Sequence, residues 1–145
     1  HYWNEIRVQG GAYGTGLLLR DTGLATAYTY RDPDCARSRG AIGRTAAYLA
    51  AAASEPQEAN IIGAISDAEP LLSPRLQGAV ADAWLLKGMT MDDRRRMRHE
   101  LLDAGPASLA ACAGQIGSAL DSGVVCALGP RPQLEACGDL ELQEL

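Results

Sequence analysis

The sequence has little of what several classes of function require. Only two histidines are present, His1 and His99, and neither belongs to a His-x-x-Glu-His motif, so the ligand pattern of zinc hydrolases that use histidine is missing. The 18 acidic residues outnumber the 13 basic ones and give a net charge of −5, so the general basic surface of a nucleic-acid-binding protein is missing. No apolar run reaches the ~20 residues that cross a bilayer, and no membrane span is predicted.

Cysteine spacing also argues against a metal site. The four cysteines are spread along the chain without any Cys-x-x-Cys pair (Cys35, Cys112, Cys126 and Cys137). Cys112 and Cys126 lie among apolar residues, so both are predicted to be reduced residues of the core. This pattern fits a reducing compartment such as a bacterial cytoplasm.

Length and composition predict one globular domain over residues 1–145. The chain is 47% hydrophobic and 21% charged, which is ordinary for a domain with a core of its own. It has no initiator methionine and no signal segment, and it opens at His1-Tyr2-Trp3 inside an apparent helix. We therefore expect a fragment of a longer polypeptide.

Residues 3–16 predict a helix–turn–strand corner, which we call the elbow. Trp3 and Ile6 are three residues apart with polar residues between them, as in the last turn of a helix. Gly10-Gly11 is expected to end this helix, because glycine adopts positive φ at little cost. A strand is predicted to begin at Ala12.

The elbow can bring Arg7 and Tyr13 to one side of the chain although they are six residues apart. A guanidinium and a phenol are hydrogen-bond donors that could hold a peptide carbonyl. The alternative is a buried arginine paired with a nearby carboxylate, together with a packed strand tyrosine. Spacing alone leaves both interpretations open.

The stretch Asn-Glu-Ile-Arg-Val-Gln-Gly-Gly-Ala-Tyr-Gly over residues 4–14 resembles a signature in the C-terminal half of the presequence protease family. Tyr30-Arg31-Asp32-Pro33 and the segment 61–67 resemble the same family, and the similarity extends to about Gly129. These proteins belong to the insulysin/pitrilysin clan of zinc peptidases with an inverted His-x-x-Glu-His motif.

This resemblance implies a catalytic role for Arg7 and Tyr13. In the family, the arginine and tyrosine of this signature reach across a closed chamber and hydrogen-bond the substrate beside the zinc. The glycines near Tyr13 would let an extended peptide approach, so Gly11 and Ala12 join Arg7 and Tyr13 as predicted substrate-binding residues. The resemblance places zinc in the full-length enzyme and none in this chain. The implied partners are the N-terminal half of the same polypeptide and unfolded peptides, with neither nucleic acid nor a membrane.

The remaining pattern predicts an α+β fold, with an antiparallel sheet and helices packed on one face, as in half-domains of the pitrilysin/processing-peptidase type. Residues 15–20 and 24–30 indicate a hairpin around the turn 21–23. An exposed edge of this sheet would allow a homodimer. The run 124–129 is continuously apolar and predicts a central strand covered on both faces.

Helices are predicted between these strands. Asp32 is expected to cap an alanine-rich helix that starts at Pro33 and extends to about Ser54. Trp84 is expected in the core. Further helices are predicted at 57–67, at 74–87, from Thr90 onward, at 107–120 and near Leu134.

Three other motifs are discounted. The arginines of residues 94–98 could bind phosphate, but acidic neighbours favour a solvated helix face. His99-Glu100 begins a His-Glu-x-x-His pattern, but Asp103 replaces the second histidine. The glycines of residues 11–16 follow a helix and precede a strand, which is the reverse of a nucleotide-binding loop.

Three functions remain open at this point. The first is the C-terminal, substrate-binding part of a zinc endopeptidase that degrades unfolded peptides. The second is a non-catalytic structural or assembly subunit of the same fold, and the presence of Arg7 and Tyr13 argues against it. The third is an unrelated α+β binding module.

Overall fold

The computed structural model describes residues 1–20, 22–138 and 140–144. Its α+β fold confirms the predicted class and contains a two-stranded antiparallel sheet of β1 (Gly14–Leu19) and β2 (Ala25–Tyr30). The helical elements are a π-helix (Trp3–Val8), α1 (Cys35–Gly43), α2 (Thr45–Ala52), α3 (Glu58–Ala68), α4 (Pro74–Leu86), α5 (Met91–Leu102), α6 (Pro106–Asp121) and α7 (Arg131–Ala136).

The contacts divide the chain into two compact units. The first contains His1–Ala52 and the chain from Ala110 onward, and the second contains Ala53–Leu109. The elbow and the sheet both belong to the first unit.

The predicted hairpin is confirmed. Its register pairs Gly14 with Tyr30 at the open end and Leu19 with Ala25 at the turn, where Gly23 has a φ of 83°. Asp21, which was predicted in the turn, lies outside the described residues. Along β2 half-buried and exposed residues alternate, so one face of this strand is partly covered, and α1 contacts the strand.

A small core holds the elbow against α1. Ile6 is completely buried and clusters with the buried Ala12 and Ala41, and Tyr2 and Ile42 pack around them. Because two of the three central residues are alanines, the backbones come close together and Ile6 supplies most of the apolar volume. This cluster fixes the direction in which the chain leaves the π-helix.

The start of the first long helix differs from the prediction. Asp34, and not Asp32, caps α1 by accepting the Arg37 N–H at 2.9 Å. The Asp32 carboxylate instead accepts the Asp34 N–H at 3.0 Å, two residues on, which holds the turn that precedes the cap.

The single helix predicted up to about Ser54 is wrong, because the chain forms α1 and α2 with Arg44 between them. The ψ of Arg44 is 3°, outside the helical range. The Thr45 hydroxyl donates to the Ile42 carbonyl at 2.5 Å, and this side-chain contact competes with the backbone bonds of a continuous helix.

The central strand predicted at residues 124–129 is also wrong. None of these residues is in a strand, all are exposed, and Val124 is 98% exposed. Within the described chain the sheet contains β1 and β2, and this segment pairs with neither of them. An apolar run indicates a preference for burial but does not supply the hydrogen-bonding partner that a strand requires.

The second unit contains α3, α4 and α5, which confirm the predicted helices. Thr90 and Asp93 form a reciprocal capping box at the start of α5, and the hydrogen bonds from Thr90 lower the pKa of Asp93. Trp84 is only half-buried, and the Arg94 guanidinium covers its ring at 3.7 Å, so the expected core position is wrong. Among the residues described, no helix is long and apolar enough to cross a membrane.

The arginines of α5 are held by acidic neighbours. Arg95 and Arg96 pair with Asp92 and Asp93 at 2.8 and 2.7 Å. Arg98 pairs with Glu69, which follows α3. These ion pairs agree with the predicted solvated helix face and leave no cluster of unpaired cations for a phosphate.

Candidate functional site

The elbow is a tightly bonded reversal of the backbone. The Gly11 N–H donates to the Arg7 carbonyl at 3.0 Å, and the Ala12 N–H donates to the Ile6 carbonyl at 3.1 Å. Gly11 has a φ of 80°. A Cβ at Gly10 would lie 2.5 Å from the Ile6 carbonyl oxygen, so any side chain there would push the backbone apart. The sequence Gly-Gly is therefore needed for both conformation and space, and the predicted turn is confirmed.

Arg7 lies in the last turn of the π-helix and stacks on the Trp3 ring. Its guanidinium carbon is 4.0 Å from the ring centroid, close enough for a cation–π contact. No carboxylate among the described residues lies within 4.0 Å of the guanidinium, so the alternative of a buried ion pair is wrong. Stacking fixes the plane of the guanidinium while the N–H groups at its edge remain able to donate.

Tyr13 follows the elbow directly, and its side chain is 65% exposed. The backbone is fixed, because the Tyr13 N–H donates to the carbonyls of Tyr30 at 3.1 Å and Arg31 at 3.4 Å. The ring meets the Tyr30 ring edge-on, with centroids 5.9 Å apart. The Tyr13 hydroxyl makes no hydrogen bond within the described part of the chain. The phenol is therefore a donor at the surface and not a packed core residue.

The other two predicted site residues differ in their exposure. Gly11 is exposed, whereas Ala12 is buried in the cluster around Ile6. Among described residues no hydrogen bond or ring contact joins Arg7 to Tyr13, and each has its own aromatic neighbour. The structure thus leaves two separate donors at the two ends of one elbow.

Sequence reasoning missed the aromatic contacts of these donors. Trp3 was predicted only as part of a helical turn, and in the structure its ring lies under the Arg7 guanidinium. Arg31 was not assigned to the site, and its guanidinium carbon lies 5.6 Å from the Tyr13 ring centroid. The signal was present in Tyr30-Arg31, because residue 30 ends the strand that pairs with the start of β1.

His1 makes contacts within the fold, whereas His99 is exposed to solvent. His1 Nε2 lies 2.8 Å from the Ala41 carbonyl, Nδ1 lies 3.1 Å from Glu5, and the ring stacks on Tyr48. His99 is exposed on α5. In the described ranges no group of three histidine, cysteine or acidic side chains could hold a metal ion. The residues that the structure describes therefore provide no set of ligands that fits a zinc site.

The predicted core positions of Cys112 and Cys126 are wrong. Cys126 is exposed and Cys112 is half-buried, whereas Cys137 is buried. The Cys35 thiol donates to the Gln133 carbonyl at 3.2 Å. Burial raises the pKa of Cys35 to about 11, and the neighbouring Cys137 thiol and the carboxylates of Asp32 and Asp34 act in the same direction.

Alkylation should distinguish these thiols by pH. Because the thiolate is the reacting form, Cys35 should stay unmodified by iodoacetamide at pH 8 and should react only as the pH approaches 11. Exposed Cys126 should react at pH 8 and serves as the internal control. Mass spectrometry of the two peptides across a pH series measures both. Equal alkylation of Cys35 and Cys126 at pH 8 would contradict the raised pKa.

Comparison with known proteins supports the resemblance seen in the elbow. No family model matches the chain. It is 28% identical over 142 residues to Protein HypA of Clostridium perfringens (strain 13 / Type A), which covers 97% of this chain and 15% of that protein. It is also 28% identical over 141 residues to Presequence protease 1, chloroplastic/mitochondrial, of Arabidopsis thaliana, which covers 94% of this chain and 13% of the protease.

Of these two relatives, the Arabidopsis protein is the one named as a protease. The alignment with the Arabidopsis presequence protease extends over nearly the whole chain, which agrees with the similarity found between Trp3 and about Gly129. The chain spans about one seventh of the length of either relative.

Proposed function

We propose that this chain is the substrate-binding C-terminal part of a zinc metalloendopeptidase that degrades unfolded peptides in a closed chamber. The observation that carries the proposal is the pair of unused donors on the elbow. Arg7 has no carboxylate partner and Tyr13 has no hydrogen bond to its hydroxyl among the described residues, although the backbone beneath both is fixed. Similarity to a presequence protease supports the same assignment.

The two donors suit the charge that develops during peptide hydrolysis. Attack on a peptide carbonyl places negative charge on its oxygen, and fixed N–H or O–H donors lower the barrier because they are already oriented. The Arg7 guanidinium would add a full positive charge, held flat by Trp3. The Tyr13 hydroxyl would donate one hydrogen bond to the same oxygen or to the neighbouring peptide unit.

The zinc and the group that activates water would come from the N-terminal half of the same polypeptide, because the described part of this chain offers no fitting ligands. The protein therefore needs both halves, and the 145 residues alone are expected to cleave nothing. Exposure of Tyr13 and Gly11 on the elbow agrees with a surface that faces such a partner.

The upstream reading frame and metal content test this proposal. A His-x-x-Glu-His motif should be encoded before these residues, and the purified full-length protein should contain one zinc per chain. The 145-residue chain, measured in parallel by mass spectrometry of metals, should contain none. A full-length protein without this motif or without zinc would overturn the assignment.

Substrate choice separates the peptidase from the two other interpretations. The full-length protein should cleave unfolded peptides and leave folded domains intact, since a chamber closed by two halves excludes bulky substrates. A non-catalytic subunit or an unrelated binding module would cleave neither, even with zinc added.

A further inference from the structure

Arg31, which follows β2 and lies beside Tyr13, has an unusual backbone conformation. Its φ is 48°, and among the described residues it is the only non-glycine residue with a positive φ. A side chain with a Cβ is disfavoured in this left-handed region, where glycine and asparagine are better suited. The backbone of this turn therefore does not favour an arginine over glycine or asparagine, whereas the arginine side chain makes contacts that neither of those residues could make.

The Arg31 side chain contacts two aromatic rings. Its guanidinium carbon is 5.6 Å from the Tyr13 ring centroid and 5.4 Å from the Tyr30 ring centroid. These rings lie at 79° to one another, so the cation is near both members of an edge-on pair. No described carboxylate pairs with Arg31. The guanidinium is thus placed by the two tyrosines, in the range of a cation–π contact.

We propose that Arg31 is a positioning residue that holds the Tyr13 phenol in one orientation, and this inference rests on the proposed role of Tyr13 as a substrate donor. Hydrogen bonds to Tyr30 and Arg31 fix only the backbone of Tyr13. An exposed tyrosine side chain would otherwise exchange among staggered rotamers. A donor lowers the barrier only when it already points at the developing charge. Contacts with Arg31 and Tyr30 supply the orientation that burial does not.

The first test is Arg31→Asn in the full-length protein. Asparagine tolerates the left-handed backbone, so the turn is kept while the guanidinium is removed. We expect kcat for an unfolded peptide to fall roughly 10-fold with little change in KM, because the donor is present but less often in place. Arg31→Lys should give an intermediate value, and Arg20→Asn, at the other end of the hairpin, should leave kcat unchanged. An unchanged kcat in Arg31→Asn, with Tyr13→Phe impaired, would overturn this inference alone.

A double variant separates positioning from a general structural effect. When Tyr13→Phe has removed the hydroxyl, its orientation no longer matters, so adding Arg31→Asn should lower kcat no further. If Arg31→Asn lowers kcat by the same factor in both backgrounds, its role is only structural and the inference is wrong. If Tyr13→Phe alone has no effect, the proposed function fails instead.

A readout independent of activity is the order of the ring itself. With 3-fluorotyrosine at position 13, the full-length protein should show a fluorine resonance displaced from that of the free amino acid. Arg31→Asn should move this resonance toward the free value, and Arg20→Asn should not. A resonance that stays in place in Arg31→Asn would overturn the proposal, whether or not Tyr13 takes part in catalysis.

Discussion

Peptide cleavage by the full-length protein carrying Tyr13→Phe should fall about 100- to 1,000-fold in kcat, the usual effect of removing one donor to a developing oxyanion. The substitution deletes only a hydroxyl that has no hydrogen bond within the described chain. The ring remains and keeps its contacts with Tyr30 and Arg31. The fold and the orientation of the ring are therefore preserved, so the loss reports the hydroxyl itself.

The Tyr13→Phe substitution should also change the kinetic parameters in a specific pattern. A hydrogen bond formed only in the transition state changes kcat and kcat/KM equally and leaves KM nearly constant. Tyr28→Phe is the matched control, because Tyr28 is a partly exposed tyrosine on the same hairpin with its ring against Gly16. Equal turnover of the wild type and Tyr13→Phe would remove Tyr13 from the mechanism.

Local signals in the sequence were sufficient for the hairpin, the elbow and most helices. Turn residues and alternating faces determine the hairpin through contacts between near neighbours, as the register from Gly14–Tyr30 to Leu19–Ala25 shows. The break at Gly10-Gly11 follows from a steric rule that needs no knowledge of the rest of the fold. Capping at Thr90 is equally local.

Contacts between distant parts of the chain could not be predicted from local sequence signals. The apolar run at 124–129 satisfies every local criterion for a buried strand, yet strand formation depends on a partner that composition does not specify. Two aspartates near the start of α1 are both good caps, and only the backbone path selects Asp34 over Asp32.

In the candidate site, too, the sequence predicted the residues but not their contacts. Residue types and the family resemblance were enough to select Arg7 and Tyr13. The sequence pattern before Gly10 predicts only a helical turn, whereas the chain forms a π-helix whose Gln9 N–H bonds to the Asn4 carbonyl five residues back. The contact of Trp3 with Arg7 joins residues four apart in this helix. The placement of Arg31 beside Tyr13 depends on the hairpin bringing residue 30 opposite residue 14.

The stability of the elbow should depend mainly on one side chain, Ile6. It is 0% exposed and is the largest fully buried side chain in the described chain, and its cluster partners Ala12 and Ala41 are too small to fill the space it would leave. Ile6→Ala should therefore lower the free energy of local opening by about 2–5 kcal/mol. The amides of Gly11 and Ala12, which bond to the carbonyls of Arg7 and Ile6, would be released by that opening.

Hydrogen exchange of the full-length protein, followed by mass spectrometry of the peptide that covers residues 6–13, measures this opening. Exchange should become about 30-fold faster or more in Ile6→Ala, since each 1.4 kcal/mol corresponds to a factor of about ten. Val8→Ala is the matched control, because Val8 lies two residues away in the same π-helix and is 63% exposed, so its truncation should change the opening free energy by less than about 0.5 kcal/mol. Equal exchange in the two variants would mean that the elbow is held by its backbone hydrogen bonds alone. A faster exchange only in Ile6→Ala, together with a lower kcat, would show that the buried isoleucine holds the backbone on which Arg7 and Tyr13 are presented.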